Sequence, residues 1–330
     1  MTLLNDKIKN LAALGRYMEG DSAAWIAAKE RAVQGNQWFT PEHIDLAAGN
    51  IAGAFLQEDK LQAWMNAYTL STQQKTAGIT MAGNIPLVGF HDFLCAYLSG
   101  HKALLKYASK DQVLLPHLLE VLAKQDPGIA EQVQAAEQLK NCDAYIATGS
   151  NNSARYFEQY FARYPHIIRR NRTSVAILDG TETPAELQAL ADDVFLYFGL
   201  GCRNVTQVCV PEGYDFAPLF EAFWRYKDLI NHHKYRNNYD YYLAIYLLNK
   251  VPYRSNDAVL LVQNDTPFSA VSVLHYRYYT DRDVLFEELK QNNDLQCIVG
   301  KAYTPFGRAQ VPALEDYADG VDTMAFLCSL

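Results

Sequence analysis

The spacing of apolar residues predicts helices at the start of the chain. Apolar residues recur every three or four positions from Lys7 to Met18 and from Ser22 to Gln34, which is the periodicity of an amphipathic helix. Pro41 suits the first turn of a third helix. We therefore expect residues 1–76 to form a helical lead-in.

Short apolar runs then alternate with helical patterns up to about residue 163. Strands are predicted at 78–82, 102–107 and 144–147, and helices at 87–98, 111–123 and 153–163. This alternation indicates a parallel sheet with helices on both faces, joined by right-handed crossovers. Ligands bind at the carboxyl ends of such strands, so the loops at 83–86, 107–110 and 148–153 are predicted to share one ligand-binding edge.

A second α/β region is predicted after residue 173. Its expected strands span 175–178, 205–210, 258–262 and 271–278, and its expected helices span 185–197 and 216–227. A chain of 330 residues also exceeds the usual size of one hydrophobic core. We therefore predict two domains, residues 1–173 and residues 174–330.

Composition and charge argue against several classes of function. The net charge is -8, with 37 acidic and 29 basic residues, which disfavours binding to the phosphates of nucleic acids. No stretch approaches the roughly 20 apolar residues that span a bilayer, so we expect a cytoplasmic protein without a membrane span. The six cysteines lack the spacing of a zinc site or of a disulfide framework, so we predict reduced thiols and no metal site.

One cysteine stands in a setting that suits chemistry. Cys202 follows Gly199 and Gly201 at a predicted helix-to-strand junction, and it precedes Arg203. Glycines let the backbone approach a ligand closely, and a neighbouring cation favours the nucleophilic thiolate. A tight turn with a packed thiol explains the same pattern equally well.

Two loops of the first domain carry further candidate groups. Gly149 and Ser150 begin a loop between a strand and a helix, where backbone N–H groups suit a phosphate, although many turns have this composition. Asn84 precedes Pro86 at the predicted start of a helix, where an asparagine commonly caps the helix. Its amide is equally suited to donate to a developing oxyanion.

Taken in order, four segments resemble the aldehyde dehydrogenase superfamily. They are Ala82-Gly83-Asn84-Ile85-Pro86, Ser99-Gly100-His101-Lys102-Ala103-Leu104-Leu105-Lys106, Ala147-Thr148-Gly149-Ser150 and Gly199-Leu200-Gly201-Cys202. More narrowly, residues 75–330 resemble the acyl-CoA reductase family of the fatty-acid reductase in bacterial luminescence systems. The resemblance implies an α/β fold in which a Rossmann-type parallel-sheet cofactor domain is followed by an α/β catalytic domain.

The resemblance also implies roles for individual residues. Cys202 is the implied acyl-accepting nucleophile, and Asn84 is the implied oxyanion donor together with the backbone N–H of Cys202. Lys106 is expected to reach the adenosine ribose or its 2′-phosphate, while Gly149 and Ser150 approach the pyrophosphate. The implied cofactor is NADPH, with NADH as the alternative. The implied substrate is an acyl-CoA, and the implied assembly is a homodimer.

Two positions depart from the superfamily's pattern. Ala154 stands where the glycine motif has its third glycine, and residues 169–174 lack the glutamate that serves hydrolytic aldehyde dehydrogenases as general base. A hydrolase must activate water and a reductase need not, so the second departure favours reduction, and it also fits an inactive relative. Arginines cluster in this region and either bind cofactor phosphates or pair with local acids; they stand at 163, 169, 170 and 172.

Three functions are compatible with these residues. The leading hypothesis is reduction of an acyl-CoA to an aldehyde through an acyl-Cys202 intermediate. The second is a cysteine-dependent acyltransferase or thioesterase without nicotinamide chemistry, and the third is a non-catalytic scaffold with an aldehyde-dehydrogenase-like fold. Dinucleotide binding separates the first from the second. Preferential reaction of Cys202 with a soft electrophile separates both from the third.

Overall fold

The computed structural model describes residues 2–330. The chain divides into two compact units, one running to Asn171 and including Pro312–Leu330, the other comprising Arg172–Val311. The division lies two residues before the predicted boundary at 173. The return of the last 19 residues to the first unit was not predicted, because their sequence does not reveal which domain they pack against.

The first unit begins with four helices, of which the sequence pattern predicts the first three. They are α1 (Thr2–Glu19), α2 (Ala23–Gly35), α3 (Pro41–Phe55) and α4 (Glu58–Met65). Side-chain caps fix two of their starts: Ser22 Oγ accepts from the Trp25 N–H, and Thr40 Oγ1 accepts from the His43 N–H. The buried faces of these helices join the hydrophobic core of the five-stranded sheet that follows.

This five-stranded sheet is parallel throughout, in the order β3-β2-β1-β4-β5. Its strands are β1 (Thr76–Thr80), β2 (Lys102–Lys106), β3 (Val133–Ala135), β4 (Ala144–Thr148) and β5 (His166–Arg169). The helices are α5 (Phe90–Ser99), α6 (Leu114–Ala123), α7 (Ile129–Gln132) and α8 (Asn151–Phe161). The strand order reverses direction between β1 and β4, which is the position where doubly wound sheets bind ligands.

The second unit contains a six-stranded sheet in the order β11-β6-β7-β10-β9-β8. Its strands are β6 (Thr173–Ile177), β7 (Val205–Pro211), β8 (Tyr253–Ser255), β9 (Leu260–Gln263), β10 (Val273–Tyr279) and β11 (Leu295–Val299). Its helices are α9 (Pro184–Phe195), α10 (Ala217–Phe223), α11 (His233–Leu248) and α12 (Arg282–Lys290). All strand pairs are parallel except β8 with β9. The predicted α/β class is therefore confirmed for both units.

The C-terminal segment 312–330 ends in helix α13 (Thr323–Cys328). Polar side chains from the earlier part of the first unit form hydrogen bonds with this segment. His91 Nε2 donates to the carbonyl of Leu314 at 3.0 Å, and His101 Nε2 donates to that of Leu327 at 2.8 Å. Trp64 Nε1 donates to the hydroxyl of Tyr317 at 2.9 Å. These bonds explain why the segment packs with the first unit although it follows the second in sequence.

Candidate active site

The loops that follow β1 and β2 pack directly against each other at the carboxyl edge of the five-stranded sheet. A Cβ atom added at Gly83 would lie only 2.7 Å from Ala108 Cβ, so only glycine fits at this position. The backbone N–H of Leu87 donates to Asp111 Oδ2 at 3.0 Å, which ties the two loops together a second time. The glycine of this segment therefore serves close loop packing.

Asn84 lies half-buried in the loop after β1, well before the next helix. Helix α5 begins at Phe90 with Gly89 as its cap residue, and no side chain caps it. The prediction of a helix from residue 87 was wrong at its start, because Leu87 adopts a left-handed φ of 57° that delays the helix. The capping alternative for Asn84 is therefore wrong, while its oxyanion role stays a prediction.

A groove of about 580 Å³ opens at the carboxyl ends of β1, β2 and β3. Lys106 is the last residue of β2, is exposed, and lines this groove together with Tyr107, Ser109 and Glu137. Burial raises the pKa of Tyr107 to about 12, so its hydroxyl stays protonated at neutral pH. The groove thus offers an ammonium group, neutral hydroxyl donors and one carboxylate.

The loop after β4 carries Gly149 and Ser150, directly before α8. Ser150 is the cap residue of α8 and its Oγ accepts from the Ser153 N–H at 3.3 Å. A Cβ at Gly149 would lie 2.9 Å from Ser153 Cβ and 3.0 Å from the Phe157 ring, so this glycine lets α8 pack close to the strand. Ala154, which replaces the superfamily's third glycine, is fully buried, so its methyl group is accommodated within the fold.

In the second unit, Cys202 stands half-buried in the turn that leads into β7. Three consecutive residues before it, Tyr197, Phe198 and Gly199, have positive φ values of 54°, 58° and 73°. The N–H of Gly201 donates to Asn204 Oδ1 at 2.8 Å, and Ser174 Oγ donates to the carbonyl of Cys202 at 3.1 Å. We call residues 196–204 the nucleophile turn, after the role that the sequence analysis predicts for Cys202.

The other cysteines differ from Cys202 in their surroundings. Cys95, Cys142 and Cys209 are buried, and burial raises the pKa of each thiol, which disfavours the thiolate. Burial also raises the pKa of the half-buried Cys328. Cys297 is half-buried on β11, and its Sγ lies 3.1 Å from Ser174 Oγ.

The arginine cluster resolves into separate contacts. Arg169 Nη1 lies 2.5 Å from Asp92 Oδ2, and its Nη2 donates to Thr323 Oγ1 at 2.7 Å, all in the interior of the first unit. Arg170 pairs with Glu158 at the surface, and Arg172 Nη1 donates to a backbone carbonyl at 3.0 Å. Pairing with a nearby acid, the alternative to phosphate binding, is thus found for Arg170, whereas Arg169 pairs with Asp92, which is 77 residues away in the chain.

Two features are absent from residues 2–330. No set of three or more histidine, cysteine, aspartate or glutamate side chains is grouped as metal ligands would be. None of the described helices combines the length and the apolar character needed to cross a membrane.

The family described as acyl-CoA reductase (LuxC) matches residues 56–214. Solved aldehyde dehydrogenases share the fold at low sequence identity. The NAD-dependent enzyme from Sinorhizobium meliloti is 13% identical, with a TM-score of 0.65 over 90% of this chain and 70% of its own. The Bacillus cereus enzyme, solved as an NAD+ complex, is 12% identical, with a TM-score of 0.63 over 90% of this chain and 70% of its own. The Mycobacterium tuberculosis enzyme, complexed with NAD+, is 15% identical, with a TM-score of 0.59 over 90% of this chain and 72% of its own.

No curated protein sequence matches the chain. The family match confirms the resemblance to the acyl-CoA reductase family over residues 56–214, and the solved structures show that the chain shares the aldehyde dehydrogenase fold. The individual site residues stay predictions.

Proposed function

We propose, from the acyl-CoA reductase match over residues 56–214, that this protein reduces an acyl-CoA or a related acyl thioester to an aldehyde. The observation that carries the proposal is that this match contains Asn84, Lys106, Gly149, Ser150 and Cys202 together. The first four lie on or beside loops at one edge of a parallel sheet, and the fifth lies on a turn of constrained backbone.

In the proposed reaction the thiolate of Cys202 attacks the thioester carbonyl. A bond forms between Cys202 Sγ and the acyl carbon, and the bond to the sulfur of coenzyme A breaks, so the thiolate of coenzyme A leaves. The Asn84 amide and the backbone N–H of Cys202 donate hydrogen bonds to the tetrahedral oxyanion. When bound, the nicotinamide supplies a hydride. Cleavage of the bond from Cys202 Sγ to the reduced carbon then releases the aldehyde.

The surroundings of Arg169 support reduction over hydrolysis. The segment that carries the general base in hydrolytic relatives here ends β5 with a guanidinium group, held inside the first unit by Asp92 and Thr323. Deacylation by water requires a base that removes a proton from the water. A segment without that carboxylate leaves the acyl-cysteine available for reduction.

The groove beside Lys106 fits the adenosine end of a dinucleotide. Folds of this type that select NAD place a carboxylate near the ribose hydroxyls, whereas those that select NADP place a cation there. Here β2 ends in Lys106, and the nearest following acid, Asp111, accepts hydrogen bonds from the backbone of Leu87 and Leu114. This arrangement favours NADPH, with NADH as the alternative. Glu137, which also lines the groove, disfavours a phosphate there because both groups are negatively charged.

The test is loss of absorbance at 340 nm with NADPH or NADH and a panel of acyl-CoAs, beside the Cys202→Ala variant. We expect cofactor oxidation that depends on acyl-CoA and disappears in the variant. Release of coenzyme A without cofactor oxidation would replace the proposal by an acyltransferase or thioesterase. No reaction, together with no preferential alkylation of Cys202 by iodoacetamide, would favour a scaffold.

The assembly is a separate proposal. By resemblance we propose a homodimer, since closed two-fold assemblies are the commonest among soluble oligomers. Sedimentation at micromolar concentration is expected to give twice the mass of the 37.3 kDa chain. A single species at the monomer mass would refute this proposal and leave the reaction untouched. The cytoplasmic location and the absence of nucleic acid partners stay predictions from composition.

A further inference from the structure

A buried polar network lies beneath the nucleophile turn, and the proposed reaction does not use it. Its central residue is Asn204, two residues after Cys202 and fully buried. We propose that Asn204 and Ser174 are positioning residues that fix the peptide between Gly201 and Cys202. The inference rests on the proposed function, because it takes Cys202 as the nucleophile.

The Asn204 side chain binds the end of α9 on one side and the nucleophile turn on the other. Its Nδ2 donates to the carbonyl of Asp193 at 3.0 Å and to that of Leu196 at 2.9 Å, with the Val194 carbonyl at 3.4 Å. The three carbonyls lie at the end of α9, where the last carbonyls of a helix have no partner within the helix. Its Oδ1 accepts the N–H of Gly201 at 2.8 Å. One amide therefore sets the distance between the helix end and the residue before Cys202.

Ser174, on β6, binds the turn on the other side of Cys202. Its Oγ donates to the Cys202 carbonyl at 3.1 Å, and it accepts the N–H of Cys297 from the neighbouring strand β11 at 3.2 Å. The Ser174 hydroxyl thus connects the nucleophile turn to strand β11. Asn204 Oδ1 binds the N–H of the peptide before Gly201, and Ser174 binds the carbonyl of the peptide after Cys202. The peptide between them, which carries the Cys202 N–H, is therefore flanked by two held peptides, and its own carbonyl accepts the Asn204 N–H at 3.1 Å.

The backbone before this peptide gives a reason for such fixation. Tyr197 and Phe198 are both left-handed, a conformation that is unfavourable for residues with a Cβ atom. Both side chains are buried, so their packing opposes relaxation of the turn, and the hydrogen bonds of Asn204 oppose it as well. Loss of the Asn204 bonds would allow the turn to relax and would move the Cys202 N–H that is proposed to meet the oxyanion.

The experiment compares two turn variants with two matched controls from the same unit. Ser174→Ala removes the bond to the Cys202 carbonyl, and Asn204→Ala removes the bonds to Gly201 and α9. Ser269→Ala removes a serine whose Oγ donates to Val273, and Gln207→Leu removes a buried amide that binds the carbonyls of Asn264 and Thr266. These hydrogen bonds of the Ser269 and Gln207 side chains go to residues outside the nucleophile turn.

The readouts are the single-turnover rate of Cys202 acylation by a thioester without dinucleotide, the KM for acyl-CoA, and hydrogen exchange across 196–204. We expect Ser174→Ala to slow acylation about 10- to 100-fold, the scale of effect that misplacing a reacting group produces. KM should stay within about twofold of wild type, and exchange in the turn should rise. Both controls should acylate at the wild-type rate.

Acylation at the wild-type rate in Ser174→Ala would overturn the inference, as would an equal loss in the controls, which would indicate general destabilisation. If Asn204→Ala does not fold, Ser174→Ala alone decides the question. Absence of acylation in the wild type would instead refute the proposed function. In that case unchanged exchange across 196–204 in Ser174→Ala would refute the positioning role independently.

Discussion

The two candidate regions of this protein are built by different means. In the first unit, Lys106 and Ser150 are exposed residues at the ends of parallel strands, where the topology places any residue that follows a strand. In the second unit, Cys202 stands after three left-handed residues on a turn bound by Asn204 and Ser174. A binding edge arises from strand order, whereas a nucleophile held in place needs specific bonds.

This difference predicts different responses to mutation. Loss of an exposed group in the first unit should weaken binding of one ligand and leave the fold intact. Loss of a buried partner beneath the nucleophile turn should change the reaction without changing ligand affinity. The following predictions test that distinction, beginning with an interior contact of the first unit that has no direct part in the proposed chemistry.

The largest expected effect is on stability, at the Arg169 ion pair. Arg169→Met leaves the Asp92 carboxylate buried without its partner, so we expect the free energy of unfolding of the first unit to fall by about 3–5 kcal/mol. Urea denaturation measures this. The double variant Arg169→Met/Asp92→Leu replaces both charges and should recover most of the loss. A single variant as stable as wild type would show that the pair does not support this unit.

The next effect concerns Asn84. Asn84→Ala is expected to lower kcat about 10²- to 10³-fold, because one donor to the oxyanion is lost, with a small change in the KM for NADPH. Steady-state absorbance at 340 nm measures both constants. The control is Asn152→Ala, an exposed asparagine in the first turn of α8. A rise in KM with unchanged kcat would assign Asn84 to binding and contradict its role as an oxyanion donor.

A smaller effect is expected at the groove. Lys106→Ala should raise the KM for NADPH about tenfold and the KM for NADH less, because only NADPH carries the 2′-phosphate that the ammonium group meets. Lys102→Ala provides a matched control, since Lys102 is exposed at the opposite end of β2. Equal losses for both cofactors would place Lys106 on the ribose and leave no basis for the NADPH preference.

The smallest effect is a pH dependence of the second unit. Burial raises the pKa of Asp193 to about 7, despite hydrogen bonds from the N–H groups of Gly307 and Ala309 that favour the carboxylate. The folded state therefore binds this proton more tightly than the unfolded state does. Its stabilising contribution is present at low pH and is lost as pH rises from the ordinary aspartate range through about 7.

Between about pH 6 and about pH 8 this loss amounts to roughly 1 kcal/mol. Asp193→Asn removes the titration, so its Tm profile over this range should be flatter than that of the wild type. Thermal unfolding in matched buffers measures the difference. Parallel profiles for the two proteins would show that Asp193 keeps the same proton occupancy in the folded and unfolded states.

Much of the fold follows from sequence pattern, and the exceptions have physical causes. Strands β1, β2, β4 and β7 are apolar runs near the predicted positions, with ends shifted by one or two residues. Strand β3 has only one buried residue, and β5 pairs with a single neighbour at the edge of its sheet, so neither carries a strong apolar signal. The start of α5 was misjudged because a left-handed leucine cannot be recognised from composition.

The site was less predictable than the fold. The glycines around Cys202 drew attention to the nucleophile turn, but left-handed conformations at Tyr197 and Phe198 run against the preference of aromatic residues. Asn204 lies two residues after Cys202, yet its role depends on the end of α9, which is eight or more residues earlier in the chain. The contacts of Arg169 with Asp92 and Thr323 span 77 and 154 residues, beyond the reach of local patterns.

The most direct test of the account is whether Cys202 carries the acyl group. The protein would be incubated with an acyl-CoA in the absence of dinucleotide, and its intact mass and peptide map would be measured beside Cys202→Ala. We predict a mass increase of one acyl group located on Cys202 and absent from the variant. Consumption of the acyl-CoA without an adduct, or an adduct on another cysteine such as Cys297, would contradict the account.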